Sequence, residues 1–90
     1  MMYPFMTLND GTEIVHSELK KDGTVKVYVE KPVYGGFQSA ECYLPEYTWK
    51  NIHGFSKKDI EYYQDYIKSI SHVIMELAAD GGFEKDAANF

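Results

Sequence analysis

Ninety residues carry nine lysines, no arginine and fourteen acids, a net charge of −5. Without the planar arginine fork, and with a net charge that repels a phosphate backbone, direct binding to DNA or RNA is excluded as a leading reading. A lone cysteine, Cys42, excludes an internal disulfide framework, and no apolar run approaches the roughly 20 residues that a bilayer crossing needs.

The start of the chain has no charged-then-apolar leader, so a reducing, cytoplasmic setting is expected. Met2 to Leu8 reads as a first strand and Thr12 to Leu19 as a second, with Asn9-Asp10-Gly11 between them. Lys20-Lys21-Asp22-Gly23 then leads into Thr24 to Lys31. Both Asp-Gly pairs are hairpin signals, because the turns that match strand twist need positive φ. In the third strand Val25, Val27 and Val29 share one face, while Lys26, Tyr28 and Glu30 share the other, an unbroken period of two. Pro32 and Gly35-Gly36 mark the next turn. Phe37 to Leu44 alternates again, with Ala40, Cys42 and Leu44 opposite Phe37, Glu41 and Tyr43, until Pro45 ends it.

Residues 45–55 show no clean period and read as a loop. Ser56 then carries the signature of a helix start: an N-cap hydroxyl, Asp59 three residues on, and Phe55 and Ile60 as a hydrophobic staple. The helix is expected over about 56–79, with Asp80-Gly81-Gly82 as a left-handed stop and a short tail over 80–90. The fold class is therefore α+β in one domain over 1–90. An antiparallel meander of three to four strands within about 2–44 is followed by one long C-terminal helix packed on one sheet face.

Ile60, Tyr63, Ile67, Ile70, Ile74 and Leu77 repeat at helical spacing, and Tyr62, Tyr66 and Val73 widen the stripe to an arc of roughly 160°, against about 100° for a single neighbour. A helix of about 24 residues measures roughly 36 Å, while strands of seven or eight residues reach only about 25 Å. The last turns, with Ile74 and Leu77, are expected to overhang. One helix covers one sheet face, so Tyr28, Phe37 and Tyr43, joined by Tyr3 and Phe5, are expected on the open face. There they serve either as half-buried cross-strand pairs or as an interface.

No catalytic, cofactor or metal site is expected. Cys42 sits in an apolar alternation that suits an inert buried thiol better than a nucleophile. His16, His53 and His72 lie too far apart in sequence for zinc spacing, and His72 falls on the polar helix face above Glu76. Gly35-Gly36 and Gly81-Gly82 do not precede a helix as phosphate loops do. The acids Glu13, Glu18, Glu30 and Glu41 lack the cleft that glycoside chemistry requires.

The expected function is a non-enzymatic protein-binding module that meets a protein partner or itself as a homodimer. Its candidate contacts are Tyr28, Phe37, Tyr43, Tyr62, Tyr66, Ile74 and Leu77. The alternative is an acidic inhibitor of phage or mobile-element type in a bacterial host, its carboxylates standing where phosphates lie in a partner's groove. A continuous ridge of Asp59, Glu61, Asp65, Glu76 and Asp80 would favour that reading. A further alternative is an antitoxin-like regulator.

Overall fold

The computed structural model describes residues 2–80. Five strands precede one helix: β1 Met2–Thr7, β2 Glu13–Ser17, β3 Val25–Val33, β4 Gly36–Leu44, β5 Thr48–His53 and α1 Lys57–Ala79. The strands form one antiparallel sheet in chain order, so every strand connection is a hairpin. The α+β meander with a C-terminal helix is as expected, with five strands in place of three or four.

The first two hairpins share one turn chemistry. Leu8 N–H donates to Thr12 O and Gly11 N–H to Leu8 O, and Lys20 with Thr24 and Gly23 repeats the pattern. In each turn the aspartate accepts the backbone N–H of the following threonine, Asp10 from Thr12 and Asp22 from Thr24, both at 3.0 Å. Gly11 and Gly23 hold φ of 88° and 84°, which a side chain would resist. Pro32, expected to end the third strand, lies inside it, paired with Phe37. The β2 ladder stops at Glu30, so the missing N–H of Pro32 faces no partner on that side.

The stretch expected as a loop holds the fifth strand. Ser39 pairs with His53 and Glu41 with Lys50, so Asn51 and Ile52 together oppose Ala40 in a bulge, and Asn51 takes a φ of 53°. A two-against-one register breaks the alternation of sides, which is why no period of two survives in Thr48–His53.

One face of the sheet and one stripe of the helix close on each other. Ile14, Val25, Val27, Val29, Ala40, Cys42 and Leu44 form the sheet side of the core, and Tyr63, Ile67, Ile74 and Ala78 the helix side. Burying each valine, leucine or isoleucine contributes about 1.5–3 kcal/mol. At the helix start the capping box is complete: Asp59 N–H donates to Ser56 Oγ at 3.2 Å, and Ser56 N–H to the Asp59 carboxylate at 2.8 Å. The bond from the Ser56 backbone N–H, seconded by the Ser56 hydroxyl, holds the Asp59 carboxyl below its ordinary value. Phe55, just before the cap, is buried with its ring 5.1 Å from that of Tyr63.

The expected overhang is overturned. Ile74 is fully buried, Ala78 nearly so, and Leu77 half-buried. Leu19 N–H, in the β2–β3 connection, donates to Ala78 O at 3.1 Å and ties the helix end to the sheet. The central strands run nine residues each, about 30 Å, and so support more of the helix than the expected strand lengths allowed. Asp80 closes the helix in the right-handed region, with φ −89° and its N–H bonded to Glu76 O at 3.2 Å. The expected glycine stop at Gly81-Gly82 and the tail beyond it lie outside the described residues.

Candidate functional site

The face of the sheet turned away from α1 follows from the registers in three rows. Glu13, Glu30, Ser39 and His53 are successive cross-strand partners in the first. Val15, Tyr28, Glu41 and Lys50 make the second, and Lys26, Tyr43 and Thr48 the third. Tyr28 and Tyr43 are therefore on the face away from the helix. Both are half-buried, with their hydroxyls donating to carboxylates on their own strands, Tyr28 to Glu30 at 3.0 Å and Tyr43 to Glu41 at 3.2 Å.

Glu41 organises the middle of this face. Its carboxylate pairs with Lys26 Nζ at 2.8 Å and accepts Asn51 Nδ2 at 2.8 Å. The Lys26 hydrogen bond holds the Glu41 carboxyl below its ordinary value, and the same bond raises the Lys26 ammonium. Burial, reinforced by the negative charge of Glu41, pushes the Tyr43 phenol up. Lys50 and Lys20 bring their ammonium groups to 5.3 Å and 5.6 Å from the Tyr43 ring centre, at cation–π range.

Phe37 extends the same face toward the tip of the β3–β4 hairpin, opposite Pro32, and is 65% exposed. Beside it Tyr34 is exposed to its full extent at 107% and Val33 to 37%. Tyr34 is not among the candidate contacts read from the sequence. Its neighbour Gly35, at φ 85° in the turn, is the signal that would have found it, because a side chain at the end of a tight hairpin has no core within reach.

Other candidates fall elsewhere. Tyr3 and Phe5 are on the helix side of the sheet and not on the open face, because Tyr3 is the register partner of His16 and both rings lie against that imidazole, at 5.8 Å and 6.4 Å. Phe5 is the extra residue of a bulge between Pro4 and Met6. On the helix, Tyr62 is 61% exposed beside Tyr63, while Tyr66 is half-buried against the core with its hydroxyl donating to the Met6 sulfur. Ile74, with no exposed surface, offers nothing for a partner to touch, and Leu77 offers half its side chain.

His16 is fully buried. Its Nδ1 shares a 2.9 Å hydrogen bond with Ser17 O, and among the described residues its Nε2 has no hydrogen-bond partner. Cys42 is fully buried under the helix, and burial pushes its thiol up to about 12, away from thiolate chemistry. Among the described residues no three histidines, cysteines or carboxylates gather as a metal site would require. Among the described residues, open dents lie along Pro4–Val15, beside Ser17–Lys21, and between Leu8–Asp10 and Tyr62.

The helix acids do not form one ridge. Glu61 and Asp65 are exposed near its start and Glu76 and Asp80 at its end, with Lys68 and His72 on the same stripe between them. Asp59 is engaged in the cap. No described helix is long and apolar enough to cross a membrane. The chain matches no protein-family model, no curated protein and no solved structure.

Proposed function

We propose that this chain is a non-enzymatic protein-binding module that docks through the open sheet face and the hairpin tip beside it. The observation that carries the reading is the exposure of Tyr34 and Phe37 at one end of a face whose other rings, Tyr28 and Tyr43, are held by hydroxyl–carboxylate bonds. Exposed aromatic anchors next to a polar, already ordered surface are the composition of interface centres and rims, and pre-ordered rings lose little rotamer freedom when covered. Nucleic-acid mimicry has less support, because Lys68 and His72 interrupt the helix acids. An antitoxin-like regulator would be one instance of the same docking.

The test is a paired capture experiment from the source cells, with wild-type chain and the Tyr34→Ser/Phe37→Ser variant as baits. Both positions are exposed, so unfolding free energies should agree within about 1 kcal/mol. Proteins retained by the wild type should be lost with the variant. Identical retained sets from the two baits would remove the hairpin and its face from any docking role.

A further inference from the structure

The β3–β4 hairpin runs past its neighbours. β2 pairs with β3 only as far as Glu30 and β5 with β4 only as far as Ser39, while β3 and β4 stay paired to Val33 and Gly36. Residues 31–33 and 36–38 therefore form a two-stranded ribbon that projects roughly 10 Å, at about 3.4 Å per residue. Turns brace its root: a Cβ at Gly11 would stand 3.2 Å from Pro32 Cγ, and one at Gly54 2.8 Å from Gln38 Cγ. Apolar side chains surround its end. Phe37 is on the open face, Val33 continues the helix-side alternation of Val25, Val27 and Val29, and Tyr34 occupies the turn. All three are exposed. A flat partner can cover one face of such a ribbon but not both, so a partner that covers Val33 together with Phe37 has to be concave.

Charge sets the chemistry of one wall of that concavity. On the open face the row next to Phe37 holds Glu13 and Glu30, about 7 Å along the strand. The two stand directly opposite each other, a like-charged pairing that destabilises a sheet, and neither forms a salt bridge among the described residues. The bond that Glu30 accepts from the Tyr28 hydroxyl leaves its charge unanswered. The lysines of this face are too distant to mask the pair from a group seated on Phe37. Lys50 is level with Glu41 and Lys26 with Tyr43, about 13 Å and about 20 Å from Phe37 along β4, beyond the screening length of about 8 Å at physiological salt. On the other face Lys31 is already paired with Asp10 at 3.7 Å.

We infer that the hairpin tip is held in an apolar cleft of a partner protein, whose wall over Phe37 carries lysine or arginine side chains placed to meet Glu13 and Glu30. Those cations relieve the cross-strand repulsion as they dock, and so make the complementary charge both a steering and a holding contact. A lipid surface fits less well, because anionic headgroups would meet the same two carboxylates. The inference rests on the docking reading above and names the chemistry of the partner.

Photo-cross-linking in the source cells tests it, with the single changes Val33→p-benzoylphenylalanine and Phe37→p-benzoylphenylalanine and circular dichroism as the check on folding. Both positions should join the same protein, at two different segments that form the two walls, with lysine or arginine beside the Phe37 adduct. Adding Glu13→Lys/Glu30→Lys should cut both adduct yields at least about tenfold, whereas Lys20→Glu/Lys50→Glu should leave them within about twofold. Adducts from position 37 alone, or yields that ignore the reversal of the glutamates, overturn the cleft. An adduct at twice the chain mass of 10.4 kDa puts a second copy on the tip and overturns it likewise. So does flotation of the chain with vesicles of phosphatidylcholine and phosphatidylglycerol that Tyr34→Ser/Phe37→Ser abolishes. The absence of any adduct from either position also overturns the cleft. Docking to a protein by another geometry still stands if the paired baits above retain different proteins, and falls with the cleft if their sets are identical.

Discussion

Glu41 shows how one side chain sets the character of the open face. Its carboxylate accepts from Lys26, Asn51 and Tyr43, and those bonds exist at full strength only while it is ionised. Its folded carboxyl titrates below its ordinary 4.5, led by the Lys26 hydrogen bond, so folding favours the charged form. The stabilisation is therefore complete above the unfolded value and is lost as pH falls through the folded one. The turn carboxylates Asp10 and Asp22 are lowered in the same direction, by bonds from Thr12 and Thr24. Replacing Glu41 with Gln keeps the shape and removes the charge. Urea unfolding at pH 7 should show a loss of about 1 kcal/mol, the scale of a partly exposed charged hydrogen bond. Below about pH 4 the difference between wild type and Glu41→Gln should shrink, because the wild-type carboxyl is then taking up its proton. A difference that stays constant down to pH 3 would show that Glu41 acts through packing and not through its charge.

At the scale of elements, the helix draws on two different sources of stability. Its start rests on Ser56 and Asp59, its length on Tyr63, Ile67, Ile74 and Ala78 against the sheet. Removing the cap hydroxyl in Ser56→Ala should cost about 1 kcal/mol, whereas Ile67→Ala, at a position with no exposed surface, should cost about 2–5 kcal/mol. Equal losses in thermal or chemical unfolding would mean that the helix is held at its end and not along its face. The elements legible in the sequence were those that declare a period without interruption. Val25 to Val29 and the stripe from Tyr63 to Ile74 each keep one spacing for their whole length, and the structure places them face to face. The fifth strand was illegible because the Asn51–Ile52 bulge moves later side chains to the other side of the sheet, and Tyr3 and Phe5 were misassigned beside a similar bulge in β1. The placement of Ile74 depends on Leu19 reaching Ala78, a long-range contact that no local pattern announces. Of the candidate docking face, Tyr28 and Tyr43 could be put on the right side by alternation alone. Tyr34 needed the hairpin tip to be known.

At the scale of the whole molecule, the sheet among the described residues ends in β1 on one side and β5 on the other, and both edge strands are irregular. β1 carries Pro4, which has no backbone donor, followed by the Phe5 bulge; β5 carries the Asn51–Ile52 bulge with Asn51 at φ 53°. A flat edge of unpaired N–H and C=O groups would recruit strands from other chains, and prolines and bulges are the devices that prevent it. Edges interrupted in this way do not seed open-ended ribbons. Pro4→Thr tests how the β1 edge is closed. Threonine restores the missing donor and suits a strand, so unfolding free energy should stay within about 0.5 kcal/mol of wild type. Light scattering after size exclusion should nevertheless show larger species than wild type at high concentration, formed through the edge. If Pro4→Thr keeps the mass distribution of wild type, the Phe5 bulge alone is sufficient to close that edge.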